Sequence, residues 1–342
     1  MKKGLELGIY TLGDNLSNST NQKQYSQKER LSQIVELAKL SEQAGFDIFH
    51  VGESHQKHFV SQAHLVILAA ISQVTKKIRL ASAATVISVA DPVRVYEAAA
   101  TIDLLSNGRM ELVCGRSARA GIYEVFGYEL VAYDDLFEEK FDLLKQINQR
   151  EVLKWSGLYR SELDNVLIHP RAQQEGGLPL WRASSGSIQS IERAAALGDS
   201  LYIVHPRGNM NTLTEMTTRY RDGLEKEGHP DAKLGLAGYL FVDQNGQKAR
   251  DLYYPAIKKG SEDLFDYTWD RQEYDKAASK DSFINIGEPE FIVEKILDQH
   301  ERLGMDRYIG HMDFAGMDFE DVKRSLYLLG DKVLPQVKKY SN

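Results

Sequence analysis

The sequence has little cysteine and no long apolar run, and each shortage excludes a class of protein. A single cysteine among 342 residues rules out an intrachain disulfide and a cysteine-rich zinc or iron–sulfur site, and it is typical of a reducing compartment. No stretch approaches the roughly 18 consecutive apolar residues of a membrane span. The first residues, MKKGLEL, lack the apolar core of a signal peptide. We therefore expect a cytoplasmic protein that does not enter a membrane.

The chain also lacks a net positive charge and the common nucleotide-binding motifs. The chain has 42 Lys+Arg against 49 Asp+Glu, a net charge of −7, whereas a general nucleic-acid coat needs a basic face. A Gly-x-Gly-x-x-Gly motif after an early strand and a Gly-x-x-x-x-Gly-Lys-Ser/Thr motif are both absent, which counts against Rossmann NAD binding and against a P-loop nucleotidase. The remaining composition, 42% hydrophobic and 27% charged, is that of an ordinary globular protein.

A joint between a helix and a strand recurs along the chain. In each case a helical pattern ends in glycine, a polar residue follows, and a short apolar strand begins. The four joints are AGFDIFHV from Ala44, NGRMELVC from Asn107, LGDSLYIV from Leu197 and LGMDRYI from Leu303. Because they are spread over the whole chain, they indicate repeated strand–helix units in one parallel sheet.

Eight strands, each followed by a helix, predict an α/β fold, a (β/α)8 TIM barrel that occupies residues 1–342 as a single domain. A doubly wound sheet is the competitor, but it would usually be shorter or carry a second domain, and no linker rich in Pro, Gly or Ser divides the chain. Two mixed polar and aromatic segments, about 150–180 and 250–285, are predicted to be long loops or insertions. The predicted helices cover about 28–44, 63–76, 92–106, 133–149, 187–197, 209–227, 288–303 and 318–333.

Reacting groups in such barrels lie where strands end and the following loops begin. After the second predicted strand come Glu53, Ser54, His55 and, shortly afterwards, His58. A carboxylate and imidazoles at that place could bind a metal or move protons. Their spacing fits no zinc signature, so we predict no metal site. Histidines that only form local hydrogen bonds are the simpler alternative.

Small and basic residues follow the third and fourth predicted strands. Ala83 and Ala84 would let a flat ligand approach the backbone, although small side chains also suit tight barrel packing. Arg116 and Arg119 lie among Gly, Ser and Ala, a composition that suits a phosphate; solvated surface arginines are the alternative. Cys114, inside an apolar strand, is predicted to be a core residue rather than a nucleophile.

The turn after the fifth predicted strand, SSGS from Ser184, opens directly into an Ala-rich helix. The unpaired N–H groups and the positive dipole of a helix start suit a phosphate, whereas ordinary capping by Ser187 needs no ligand. On a neighbouring strand, the loop of Arg116 would bind the same phosphate. The sixth predicted strand ends in residues 205–208, and the eighth ends near His311 and Asp313, which we expect at the mouth of the pocket.

Several short blocks, taken together, resemble the bacterial-luciferase-like family of flavin-dependent oxidoreductases. The likeness runs from Leu5 to about Leu334, and it is specific because the blocks occur in the order and spacing that the family uses. The blocks are AGFD from Ala44, GESH from Gly52, the pair Ala83-Ala84, DPVR from Asp91 and LLSNGR from Leu104.

The resemblance implies a barrel that binds FMN, supplied in the reduced form by a separate flavin reductase, and that uses O₂ to oxygenate a small-molecule substrate. It implies a flavin ring resting against Ala83 and Ala84, with a cis peptide between those two residues. It also implies that the phosphate is held with help from Arg116 by the turn residues Ser185, Gly186, Ser187, Ile188 and Ser190.

The resemblance places the reacting groups at Glu53, Ser54 and His55, where one departure matters. Many relatives have Glu-His-His there, and the first histidine assists chemistry at the flavin, but serine cannot carry a proton near neutral pH as imidazole does. Either His55 takes over, or Ser54 only forms a hydrogen bond, or the flavin chemistry differs. Two alternatives to the oxygenase therefore stay open: a deazaflavin-dependent hydride-transfer enzyme, and a non-catalytic flavin-binding protein.

Two further expectations concern the partner and the shielding of the site. Family members often dimerise through the helices after strands two and three, which implies a homodimer through about 63–76 and 92–106. Aromatic residues of the 250–285 segment would shield the reactive edge, or would simply pack as a surface insertion. These residues are Tyr253, Tyr254, Phe265, Tyr267 and Trp269.

Overall fold

Eight parallel strands form a closed barrel, which confirms the predicted fold. The computed structural model describes residues 4–117, 119–204, 209–265 and 267–341, without the side chain of Ala120. The barrel order is β1-β2-β3-β5-β8-β9-β10-β12, and β12 pairs with β1 to close it. The barrel strands are β1 (Glu6–Thr11), β2 (Ile48–Val51), β3 (Arg79–Ser82), β5 (Met110–Gly115), β8 (Leu180–Ser184), β9 (Ser200–Val204), β10 (Leu234–Val242) and β12 (Arg307–His311).

Four shorter strands lie outside the barrel order. β4 (Thr85–Val86) pairs with β5, and β11 (Asn285–Gly287) pairs with β10. Within the predicted insertion at 150–180, β6 (Val152–Trp155) and β7 (Leu163–Leu167) form a separate antiparallel pair. Exposed and buried residues alternate along β6, with Leu153 and Trp155 facing the core, and no residue of β7 is fully buried.

Helices cover the outside of the barrel, close to the predicted ranges. The joints predicted from glycine are present: α1 ends at Gly45 with φ of 89° and α10 ends at Gly304 with φ of 61°, the left-handed conformation that terminates a helix at low cost. The α-helices are α1 (Gln27–Ala44), α2 (His64–Val74), α3 (Pro92–Ser106), α4 (Ala120–Phe126), α5 (Tyr133–Gln149), α6 (Ile188–Ala196), α7 (Met210–Glu227), α8 (Gly246–Phe265), α9 (Arg271–Ala277), α10 (Pro289–Leu303), α11 (Phe319–Leu328) and α12 (Leu334–Tyr340).

The 250–285 segment, expected to be a long loop or an insertion, is largely helical, and α8 and α9 occupy most of it. The mixed composition of the segment and Pro255 inside α8 made the buried face of this helix hard to recognise from the sequence. Tyr253 and Ile257 are fully buried on that face, and a side chain at Gly260 would collide with the Phe314 ring, which a Cβ would meet at 2.5 Å. The helix therefore packs closely on the turn after β12.

The inside of the barrel contains a buried ion pair. Arg307 on β12 and Glu111 on β5 lie on opposite sides of the barrel, with Nη1···Oε2 at 2.8 Å and side chains only 1% and 3% exposed. Arg307 also bonds Glu6 on β1 at 2.7 Å, and its guanidinium lies 4.6 Å from the centre of the Trp181 ring. The Arg307 guanidinium lowers the pKa of Glu111 to about 2 despite burial. This pair therefore joins opposite walls of the barrel.

Replacing Glu111 should destabilise the fold because Arg307 would lose its more deeply buried charge partner in a medium of low polarity. We expect Glu111→Gln to reduce the free energy of unfolding by about 3 kcal/mol at neutral pH, measured by urea denaturation. Glu97→Gln, which breaks only the exposed pair with Arg94, should cost less than about 1 kcal/mol.

The pH dependence of this difference gives a second check. The lowered pKa of Glu111 means that its charge stabilises the fold above the unfolded-state pKa of about 4.3 and ceases to do so as pH falls toward the folded-state value. The gap between wild type and Glu111→Gln should therefore shrink between about pH 5 and pH 2. A gap that is absent at neutral pH would contradict the proposed importance of the pair.

Candidate active site

A cavity of about 710 Å³ opens at the carboxyl ends of the barrel strands; we refer to it as the larger cavity. The loops after β5 and β8 both contribute to it, because the two strands are parallel neighbours with Cys114 beside Arg182. The expectation that the Arg116 loop and the SSGS turn lie on neighbouring strands at one end of the barrel is confirmed. The walls of the larger cavity include Glu53, Ala84, Gly115, Arg116, Ser117, Arg119, Asp134, Asp135, Glu138, Ala183, Ser185, Ser187, Ser190, Arg193, Val204 and Phe265.

One end of the larger cavity combines a helix N-terminus with a guanidinium. Ser187 caps α6, and its hydroxyl accepts a hydrogen bond from the Ser190 N–H at 3.4 Å. Nη2 of Arg116 donates to the Ser190 hydroxyl, so the arginine lies directly at the helix start. Ser187 and Ser190 line the cavity together with Ser185 and Arg116. A helix N-terminus beside an arginine is suited to an anion, and we refer to this part of the larger cavity as its anion-binding end.

The other two predicted turn residues play indirect parts in this arrangement. Gly186 has φ of 105°, which lets the chain turn sharply between β8 and α6. Ile188 is the first residue of α6, and it packs half-buried against the hydrophobic core. Both residues shape the turn, and the part in holding a phosphate that the resemblance implies for them stays a prediction.

Carboxylates approach the anion-binding end as well. Asp134, at the start of α5, accepts a hydrogen bond from Nη1 of Arg116, and its side chain is 52% exposed. Asp135 also lines the cavity. Glu138 is neutralised by Arg182 and Arg193. Arg116 is thus shared between Asp134 and any anion that binds at the helix start.

The middle of the larger cavity is lined by small residues. The peptide between Ala83 and Ala84 is cis, as the resemblance implied. A Cβ at Gly115 would lie 3.2 Å from the Ala84 Cβ and 3.6 Å from the Ala183 Cβ, so any larger residue would narrow the cavity. Ala84, Gly115 and Ala183 therefore leave room for a flat ligand. The same three residues also satisfy the packing alternative weighed from the sequence.

Glu53 is held in a fixed position beside this flat region. Its side chain is 8% exposed, and Oε1 lies 2.8 Å from Nε2 of His55. Oε2 accepts the Val86 N–H at 2.7 Å and lies 3.6 Å from Nδ1 of His64. Burial lowers the pKa of His64, which bonds the Thr85 hydroxyl at 2.7 Å.

Sequence reasoning missed His64, because it follows Glu53 by a loop of unpredictable path and no spacing rule connects the two. It also missed Thr85, whose strand is only two residues long.

A second cavity of about 360 Å³, the smaller cavity, adjoins the first and is lined by Ser54, His55 and neighbouring residues. Glu53, Ser117 and Arg119 line both cavities. The structure corrects the expectation that Arg119 joins Arg116 in one anion site. Nη1 of Arg119 donates to Oε1 of Gln56, and its guanidinium lies 5.1 Å from the centre of the Phe265 ring. Of these two arginines, Arg116 reaches the α6 start and Arg119 does not.

His311 and Asp313 do not lie at the mouth of the pocket, which corrects the prediction for the eighth strand. Their side chains are 1% and 2% exposed, and Asp313 forms an ion pair with Arg30 at 2.7 Å. β12 ends at His311, close to the predicted position, but both side chains are enclosed by neighbouring elements such as Arg30 of α1. The predicted end of the sixth strand, residues 205–208, lies outside the described residues.

The remaining predictions for the site have mixed outcomes. Cys114 is fully buried, and burial raises the pKa of its thiol well above the usual value, so it is a core residue as predicted. Of the five aromatics assigned to shielding, Phe265 lines the larger cavity, whereas Tyr253 and Trp269 are buried in the core. Across the part of the chain that the structure describes, no cluster of three metal-ligating side chains occurs. No described helix has the length and apolar character to cross a membrane.

The family model of luciferase-like monooxygenases matches residues 5–307. The chain belongs to this family. The match covers β1 to the start of β12, and therefore includes the loops that form both cavities.

Curated relatives extend the match across most of the chain. A flavin-dependent trigonelline monooxygenase oxygenase component of Acinetobacter baylyi is 21% identical over 91% of this chain and 91% of its own length. The alkanal monooxygenase alpha chain of Photorhabdus luminescens is 27% identical over 67% of this chain and 64% of its own length. An uncharacterized protein of Sinorhizobium fredii is 23% identical over 89% of this chain and 91% of its own length. The chain is therefore an oxidoreductase of a flavin-dependent family.

Solved structures share the fold over nearly the whole chain. Monooxygenase RslO1 from Streptomyces bottropensis has a TM-score of 0.86 at 20% identity, covering 97% of this chain and 99% of its own. The oxygenating constituent of 3,6-diketocamphane monooxygenase from Pseudomonas putida, in complex with FMN, has a TM-score of 0.78 at 16% identity. The match covers 97% of this chain and 98% of that one. An F420-dependent secondary alcohol dehydrogenase has a TM-score of 0.72 at 18% identity, and the match covers 98% of this chain and 99% of that one. This barrel is thus found with both FMN and F420.

Proposed function

We propose that this protein is the oxygenase component of a two-component system, which takes reduced FMN from a separate flavin reductase and oxygenates a small organic substrate with O₂. The observation that carries the proposal is the larger cavity. It combines an anion-binding end at Arg116 and α6, a flat region at Ala84 and Gly115, and a buried carboxylate at Glu53. These features match the phosphate, the ring and the reactive edge of a flavin nucleotide.

Two comparisons support this choice. The Acinetobacter baylyi relative is described as an oxygenase component, which implies a reductase partner for that protein. The Pseudomonas putida structure contains FMN. The anion-binding end fits FMN because a terminal phosphate would accept hydrogen bonds from helix N–H groups and from Arg116 together.

Bound reduced FMN would supply the electrons that activate O₂, and the protein would bind, orient and shield it. Ser185, Ser187 and Ser190 with Arg116 would hold the phosphate. Ala83 and Ala84 would lie against the ring.

The pair formed by Glu53 and His55, 2.8 Å apart, would hold or release a proton at the reactive edge. A serine hydroxyl cannot carry a proton near neutral pH as an imidazole does, so the Glu53–His55 pair would take the role that histidine has at position 54 in many relatives. Ser54 would form a hydrogen bond through its hydroxyl in the smaller cavity.

An F420-dependent hydride-transfer enzyme is the second candidate, favoured by the similar fold of the secondary alcohol dehydrogenase. A binding protein without turnover is the third, motivated by Ser54 in place of histidine. Anaerobic calorimetry with reduced FMN, oxidised FMN and reduced F420 separates them, followed by O₂ consumption with NADH and a flavin reductase.

We expect reduced FMN to bind more tightly than reduced F420, and protein-bound reduced FMN to be reoxidised by O₂ at a rate different from the free flavin. Binding of F420 alone would favour hydride transfer. Equal binding of both FMN forms with unchanged reoxidation would favour the binding protein. Absence of any FMN binding would refute the proposed function.

Arg116 and Asp134 should act on FMN affinity in opposite directions. Arg116→Ala removes a charge-assisted phosphate contact and should weaken binding by about 1.5–3 kcal/mol, more than tenfold in Kd. Asp134→Asn frees Arg116 from its carboxylate partner and should tighten binding by about 1 kcal/mol. The measurement is fluorescence titration with FMN and, in parallel, with riboflavin, which lacks the phosphate.

Matched controls are Arg94→Ala and Asp164→Asn, whose side chains are 85% and 68% exposed and which lie outside the larger cavity. Neither should change FMN affinity, and none of the four variants should change riboflavin affinity appreciably. If Arg116→Ala leaves FMN affinity unchanged, the phosphate does not bind at this end.

We further propose that the protein forms a homodimer through α2 and α3, which pack side by side. Apolar side chains remain exposed on both helices: Val66 at 69%, Val74 at 44%, Leu104 at 43% and Leu105 at 52%. A second copy would cover these side chains and remove their apolar surface from water.

The dimer is tested by light scattering at micromolar concentration, with an expected mass of twice 38.7 kDa. Leu105→Glu places a charge in the proposed interface and should yield monomers. Leu158→Glu, at a position that is 91% exposed near the β6–β7 hairpin, should leave the dimer intact. A wild-type protein with the mass of one chain would contradict the proposal.

A further inference from the structure

The smaller cavity has the makings of a separate binding site beside the larger one. Its volume of about 360 Å³ falls within the range of small-molecule pockets. Leu12, Phe59 and Ile122 give it apolar walls. It meets the larger cavity at Glu53, Ser117 and Arg119, so a molecule in it would contact whatever occupies the larger cavity.

Arg119 is the main charged feature of this junction. Its guanidinium lies 6.0 Å from the centre of the Phe59 ring and 5.1 Å from that of Phe265. Partial burial lowers the pKa of Arg119. Among the residues that the structure describes, no carboxylate lies within ion-pair distance of it. A guanidinium removed from water without a counter-charge is costly to the fold.

The hydrogen bonds of Arg119 are also incomplete. Nη1 donates to Gln56, and Nη2 lies 3.4 Å from the Leu264 carbonyl oxygen. Both acceptors are neutral. A guanidinium has five N–H groups, and none of the other three donates to an acceptor in the described part of the chain.

The other charges of the smaller cavity leave this cation uncompensated. Glu53 is engaged by His55 and by the Val86 N–H, and it forms no ion pair with Arg119. Lys57 also lines the cavity and is exposed, which adds positive charge at the rim. An anion would therefore find a favourable potential here, whereas a cation would not.

We propose that the smaller cavity binds the organic substrate and that Arg119 selects a substrate with a carboxylate on an apolar body. A carboxylate fits the planar guanidinium with two parallel hydrogen bonds, and Leu12, Phe59 and Ile122 fit the apolar body. The inference deepens the proposed function and rests on it. It assigns Arg119 to substrate selection and Arg116 to the cofactor.

The test compares organic acids with amides of nearly the same shape, because only the charge then differs. The probes are hexanoate with hexanamide, benzoate with benzamide, and indole-3-acetate with indole-3-acetamide, titrated by calorimetry into the protein with and without FMN. We expect at least one acid to bind about tenfold more tightly than its amide. If no acid in the panel is preferred, the proposal is wrong.

Substitutions then assign the preference to one side chain. Arg119→Gln should reduce the ratio of acid to amide affinity to near one, and Arg119→Lys, which retains the charge, should keep part of it. Arg94→Gln, an exposed arginine on α3, is the matched control and should leave the ratio unchanged. An Arg119→Gln variant that keeps the wild-type ratio would overturn the assignment, and a thermal melt confirms that each variant is folded.

The two proposals fail in different ways. If the wild-type protein binds no FMN but prefers acids to amides, the flavin oxygenase is refuted and an acid-binding site at Arg119 remains. Tight FMN binding without any acid preference would refute the substrate class alone. If Arg119→Gln weakens binding of reduced FMN but leaves the acid-to-amide ratio unchanged, Arg119 serves the flavin rather than the substrate.

Discussion

The fold depends on a buried ion pair inside the barrel. Arg307 and Glu111 join strands on opposite walls at 2.8 Å, and Glu6 and Arg79 extend the pair to β1 and β3. Side chains of barrel interiors are usually branched and aliphatic, so charges here require close partners to offset their desolvation. The strand order that closes the barrel decides which loops meet at the carboxyl end, and the cluster joins strands within that order.

The loops at that end divide the work between two adjacent cavities. The larger one has an anion-binding end made by Arg116 and the start of α6, and small residues in its middle. The smaller one has apolar walls at Leu12, Phe59 and Ile122 and the partly buried guanidinium of Arg119. Glu53 lies at the junction, held from both sides by His55 and by the Val86 N–H. In a protein proposed to bring a flavin and a substrate together, a rigid carboxylate at this contact is well placed to control protons.

The errors of sequence reasoning share one cause, which is packing between residues distant in the chain. Mixed polar and aromatic composition made 250–285 look like a loop, whereas Tyr253 and Ile257 form a buried helix face against the turn after β12. His311 and Asp313 looked like pocket residues, but Arg30 from α1 reaches them and buries them. Arg119 was grouped with Arg116 by spacing, but Arg116 bonds Ser190 at the α6 start, whereas Arg119 bonds Gln56 at the junction of the two cavities.

The sequence by itself determined the order of strands and helices, because glycine-ended joints and apolar periodicity are local properties. It also determined the family, since short blocks at fixed spacing survive at low identity. The tertiary structure alone decided that Asp134 competes for Arg116, that His64 supports Glu53, and that Arg119 lacks an acidic partner among the described residues. These facts depend on which side chains meet across loops, and no pattern along the chain encodes such distances.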